Sequence, residues 1–182
     1  MLTETLIAAT KAGAAELQRY FNGAFEISHK EGVNNLVTEA DHAAERAIIG
    51  VIQAAFPDHF ILSEETGEII TSSEYKWIID PIDGTVNFAN GIPICCVSVG
   101  LEKAGEIIMG AVYNPIMHEF YFAEKGKGAY LNDKKISVGK KTKVTITSDW
   151  KDPSFTGSFL PTKRVINEEG FSAIWEITHL NR

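Results

Sequence analysis

The sequence predicts an α+β protein in which two amphipathic helices pack on a largely antiparallel sheet. Apolar residues recur every three to four positions over residues 3–22 and again over 38–56, the period of helices with one buried face. From residue 94 onward the pattern changes to short apolar runs rich in β-branched and aromatic residues. These runs are joined by turns too short for a crossover, so neighbouring strands must run antiparallel.

Composition supports a folded chain. The 182 residues suffice for one sizeable core, or for one domain and an extra piece, and 45% apolar with 23% charged residues is ordinary for a globular protein. Seventeen basic against 24 acidic residues give a net charge of −7, which excludes a general grip on nucleic acid. An acidic site can still receive a phosphorylated ligand, because bound cations reverse its local sign. Residues 1–15 lack a basic start and carry Glu4 early, so no secretory leader is expected. No apolar run of about 18 residues is present to span a bilayer, and the expectation is a cytoplasmic chain without a membrane segment. Cys95 and Cys96 are adjacent and point to opposite faces of a strand. They read as small buried hydrophobes in a reducing compartment, not as a disulfide, ligands or a nucleophile.

In chain order, the first helix has Leu2, Leu6, Ala9, Ala14 and Leu17 on one stripe, with Thr3 or Thr5 as candidate caps. A short strand is expected at 26–30, then a turn-rich loop at 31–35. The second helix opens at Thr38, an N-cap with Asp41 three residues later as the acid of a capping box. Residues 60–62 form a strand that ends on Ser63-Glu64-Glu65, and 67–75 form an exposed connection with Ile69 and Ile70 in a hairpin. Further strands are expected at 94–101, 106–113 and 118–122, with His118 a strand-end polar residue, and 126–132 is a turn leading into another strand.

The chain is organised around residues 77–88, Trp-Ile-Ile-Asp-Pro-Ile-Asp-Gly-Thr-Val-Asn-Phe. An apolar strand runs into Asp80 and Asp83, whose carboxylates can share a hard cation such as Mg²⁺. Pro81 fixes its own φ and biases Asp80 towards an extended conformation. Gly84 lets backbone approach a ligand, and the Thr85 hydroxyl can hold a water or a phosphate oxygen. A bare Asp-Pro-x-Asp-Gly is usually a simple turn; the longer string is far more specific.

That string resembles the signature of the inositol monophosphatase family, Mg²⁺-dependent and lithium-sensitive phosphomonoesterases. Residues 62–66 and 36–41 resemble two further family motifs in the family's order, so the resemblance covers roughly residues 1–140. It implies a layered α/β sandwich of the sugar phosphatase type. It also implies metal ligation by Glu64, Asp80, the Ile82 carbonyl and Asp83; catalysis by Glu64, Thr85 and Asp41; and substrate binding by Asp83, Gly84 and Thr85. Glu65 would support Glu64. The cofactor would be two or three Mg²⁺ ions and the inhibitor Li⁺. Asp41 reads either as a helix-start charge or as an outer acid acting through water, and both can hold. Lys30 reads equally as a charge facing the site or as a solvated loop lysine. The Gly126 and Gly128 stretch is plain sheet structure in the family. The implied partner is a small phosphorylated substrate, inositol phosphate ahead of 3′-phosphoadenosine phosphate or fructose 1,6-bisphosphate, and a homodimer is a further expectation.

The sequence departs from the family in its last part. The family's Trp-Asp-x-Ala-Ala/Gly-Gly motif, which supplies another metal-site Asp, has no counterpart; Trp150-Lys151-Asp152-Pro153 carries a proline that denies a helical start. The C-terminal half of the family fold is therefore expected to be missing, with an inositol-monophosphatase-like domain at 1–142 and a β-rich tail of different origin at 143–182. That tail resembles the extramembrane region of the CreD-type inner-membrane protein family, which implies a fusion near residues 140–144; the alternative is a truncated phosphatase whose tail adds a strand. Reduced Mg²⁺ affinity and low turnover are expected. The rival expectation is a non-catalytic module acting through oligomerisation.

Overall fold

The structure, a computed structural model, describes residues 1–21, 23, 27–29 and 36–137. Lys30, the loop at 31–35 and the tail at 143–182 lie outside the described residues.

Helix α1 spans Leu2–Tyr20 and buries Leu6, Ala9, Ala14 and Leu17 completely. Buried Thr10 is satisfied within the helix, its hydroxyl donating to the Leu6 carbonyl at 2.8 Å. The helix starts earlier than expected, with Met1 as N-cap and no side-chain cap, so Thr3 and Thr5 lie inside it. Strands β1 (Ile27–His29) and β2 (Leu36–Thr38) form an antiparallel pair. Helix α2, Glu39–Ala55, opens with the expected capping box: Thr38 N–H and Oγ1–H both donate to Asp41 Oδ2, at 2.8 and 2.6 Å.

Eight strands follow in one sheet: β3 (Phe60–Ser63), β4 (Gly67–Ile69), β5 (Tyr75–Asp83), β6 (Cys96–Lys103), β7 (Glu106–Asn114), β8 (Glu119–Glu124), β9 (Gly128–Leu131) and β10 (Lys134–Ile136), with a short helix α3 (Thr85–Ala89) after β5. The spatial order is β10-β9-β8-β7-β6-β5-β3-β4. Among the described residues all pairings are antiparallel except β3 with β5. The layered α+β architecture is the expected one. Both helices lie against the sheet, and Leu6, Leu17, Ile48 and Ile52 form one core with Ile61, Trp77, Val97, Val99 and Leu101. The helices cross closely at Gly13, where a Cβ would stand 2.6 Å from the Ile48 side chain. Buried Trp77 donates its indole N–H to His59 Nδ1 at 3.0 Å, so the core's largest side chain leaves no polar atom unpaired.

The single parallel pairing places the functional residues. Hairpin β4 folds outward from β3, so β5 returns in the direction of β3 and the two strands end on one sheet edge. Ser63 stands opposite Ile79, and the ladder continues as Glu64 N–H donates to the Ile79 carbonyl at 3.2 Å. Glu64 and Asp80 thereby become neighbours.

Candidate metal centre

Four carboxylates, those of Asp41, Glu64, Asp80 and Asp83, lie within electrostatic reach of one another at this end of the sheet. β5 does not stop at its first acid but runs on to Asp83 through a shift in register between Asp80 and Asp83. Pro81, which lacks an N–H, sits inside that irregularity, where a strand tolerates proline. A bulge of this kind bends the strand and re-aims its side chains. The chain then turns at Gly84, whose φ of 88° belongs to the left-handed region and where a Cβ would stand 2.8 Å from the Ile94 carbonyl oxygen.

Asp80 is hydrogen-bonded to the Glu64 side chain, and burial, then the charges of Glu64 and Asp83, hold its carboxyl well above the ordinary range. Asp83 is pushed up to about 6, first by burial and then by Glu64. Asp41, 1% exposed, is also raised, by burial first, against the opposing hydrogen bonds from Thr38. Like charges close together in a poorly solvated place favour protons or cations. Asp80 Oδ1 is sealed from solvent with no hydrogen-bond partner. Thr85 Oγ1 lies 2.9 Å from the Ile82 carbonyl oxygen and 3.3 Å from Asp41 Oδ1, joining the start of α2 to the turn after β5.

Every ligand implied by the resemblance is thus in one neighbourhood: Glu64 exposed at the rim, Asp80 and Asp83 half-buried, and the Ile82 carbonyl beneath Thr85. Among the described residues, however, no three His, Cys, Asp or Glu side chains stand in a ready coordination set. The carboxylates are linked by charge and by the Asp80–Glu64 hydrogen bond without closing on one point. The donor set is nonetheless all oxygen, rich in negative charge, and includes a buried unpaired carboxylate oxygen. That chemistry fits a hard divalent cation.

Three residues near the site were not read as functional. Cys96, expected to be a buried hydrophobe, is half-buried with its thiol 4.0 Å from Asp83 Oδ2. Burial first, and Asp83 and Asp80 next, keep that thiol protonated. Ser98 lies directly across from Asp80, fully buried, its hydroxyl without a partner. Glu45 is 2% exposed and accepts from Ser63 Oγ, from Thr66 Oγ1, and from the N–H groups of Glu65 and Thr66 at 3.1 and 2.9 Å. Burial alone would raise its carboxyl; those donors outweigh burial and hold it below the usual range. A signal for Glu45 existed: it lies one helical turn after Asp41, on the same face of α2.

Known proteins match this chain widely. The sequence profile described as inositol monophosphatase family matches residues 1–170, reaching past the boundary expected at 142–143. An inositol-1-monophosphatase of Mesorhizobium japonicum is 39% identical over 150 residues, 81% of this chain and 56% of that protein. A protein of Aquifex aeolicus named fructose-1,6-bisphosphatase/inositol-1-monophosphatase is 43% identical over 132 residues, 72% of this chain and 50% of that protein. The crystal structure of extragenic suppressor protein suhB from Bartonella henselae superposes with a TM-score of 0.75 at 35% identity, over 78% of this chain and 55% of that one. The chain spans about half the length of these relatives. On the extent of the profile match and the shared fold, the chain belongs to the inositol monophosphatase family.

Proposed function

We propose that this chain carries the metal-binding half of a Mg²⁺-dependent phosphomonoesterase acting on inositol phosphates in the cytoplasm. The observation that carries the reading is the buried, unpartnered Oδ1 of Asp80 among neighbouring carboxylates. Glu64, Asp80, Asp83 and the Ile82 carbonyl would hold the cation. When bound, such an ion supplies neutralisation of the phosphate oxygens and a more acidic water.

This chain's residues do the positioning. Glu64, solvent-exposed at the rim, orients the attacking water. Thr85 Oγ1, between the Ile82 carbonyl and Asp41 Oδ1, holds a hydroxyl where that water is oriented. Gly84 keeps the turn free of side chain, so a phosphate can reach the backbone. The work is orientation and charge neutralisation, with no covalent intermediate on the protein. The family motif carrying a further metal-site Asp is not found in these 182 residues.

The test is phosphate release from inositol 1-phosphate with Mg²⁺, with and without Li⁺. Slow release that Li⁺ suppresses and Asp83→Asn abolishes is expected. Release indistinguishable between parent and Asp83→Asn contradicts the reading. The Aquifex relative, named for both fructose-1,6-bisphosphatase and inositol-1-monophosphatase activity, favours fructose 1,6-bisphosphate as a second substrate, to be assayed in parallel.

A further inference from the structure

We infer that Glu45 is a positioning residue for the metal centre: its buried carboxylate clamps the turn after β3 and so fixes where Glu64 is presented to Asp80. Four donors converge on this one carboxylate. Oε1 takes Ser63 Oγ–H and the N–H groups of Glu65 and Thr66; Oε2 takes Thr66 Oγ1–H. Every residue of the turn except Glu64 itself is thus bound to Glu45, and Glu64 is bound through its own N–H to the Ile79 carbonyl beside Asp80. The backbone of Glu64 is held from both sides, and its side chain is hydrogen-bonded to Asp80.

The same helix holds the other half of the site. Asp41, one turn earlier, reaches Thr85 after β5, while Glu45 reaches the end of β3. A rigid helix thereby sets the distance between the two strand ends that carry the acids. Placed among Ala43, Ala44 and Ile48 on the buried side of α2, a carboxylate is costly unless its oxygens are satisfied, and these donors satisfy them. The interaction is aimed at the turn and not at the core, which is what distinguishes positioning from simple stabilisation.

This inference rests on the metal-centre reading, and the experiment separates the two. Four forms of the full chain are compared: parent; Glu45→Gln, which turns an NH₂ group against Thr66 or Ser63; Thr66→Val, which removes one donor at the exposed rim; and Ile48→Val. Mn²⁺ affinity is measured by titration, and amide hydrogen exchange at Glu65 and Thr66 by NMR. Glu45→Gln is expected to weaken Mn²⁺ binding at least tenfold and speed exchange at both amides at least tenfold, with Thr66→Val intermediate. Ile48→Val, a core truncation on the same helix, is expected to lower Tm while leaving Mn²⁺ affinity within twofold. Unchanged exchange in Glu45→Gln overturns the clamp whether or not the parent binds Mn²⁺. Unchanged Mn²⁺ affinity with faster exchange overturns its link to the metal centre. A parent that binds no Mn²⁺ sinks the metal-centre reading and with it that link.

Discussion

Asp41 and Thr85 stand 44 positions apart in the chain and 3.3 Å apart in space, Thr85 Oγ1 facing Asp41 Oδ1. The other oxygen of Asp41 closes the capping box with Thr38. One carboxylate therefore caps the start of a helix and also faces the turn after β5, a placement compatible with both readings of Asp41.

Substitution separates them. Asp41→Asn keeps an acceptor for Thr38 and is expected to stay within about 0.5 kcal/mol of the parent, whereas Asp41→Ala should lose about 1–2 kcal/mol with the cap. Both should lower phosphate release at least tenfold. Urea unfolding together with the release assay checks this; full activity in Asp41→Asn would leave the acid a purely structural role.

The acid cluster gives a pH dependence of unusual sign. Asp83 holds its proton up to about 6 in the folded chain, against an ordinary value of 3.8. Between those values the folded state binds a proton that the unfolded state has released, so this group's contribution to stability falls as pH rises through the window. His59, whose imidazole is held below 6.5 mainly by burial, acts oppositely and loses stability as pH falls below 6.5. Glu45, held below 4.5, loses stability only as pH falls below that value. The difference between Asp83→Asn and parent isolates the first effect. With chelator at pH 7 the variant should be more stable by about 1–3 kcal/mol, and the gap should shrink towards pH 5. A less stable Asp83→Asn at pH 7 would contradict the repulsion.

Gly84→Ala tests the turn that follows Asp83. The substitution meets a positive φ and a backbone oxygen 2.8 Å from the new Cβ, a neighbour that cannot rotate away. A loss of about 1–3 kcal/mol is expected, read as a lower urea midpoint. Parent-like stability would mean the turn can relax.

Much of this was legible in the sequence. The helix periods at α1 and α2, the Thr38–Asp41 capping box and the short-turn strands β6 to β8 follow from local pattern. The parallel alignment of β3 with β5 does not, because it depends on hairpin β4 folding outward, a tertiary choice. The continuation of β5 past Pro81 was hidden because proline ordinarily ends a strand, and only the register shift accommodates it. Thr3 and Thr5 have the side chains of caps, but the helix begins at Leu2 without a side-chain cap, so its start is not legible from residue type. Glu45 escaped notice because a glutamate in a helical sequence reads as surface charge; its donors come from a turn about twenty residues later.

The central claim is that the strand-end carboxylates hold a divalent cation. Isothermal titration of the full chain with Mn²⁺ at pH 7.5, beside Asp80→Asn, tests it most directly. Saturable binding of at least one ion per chain, abolished in the variant, is the predicted result; binding absent from the parent, or equal in the two proteins, would contradict it.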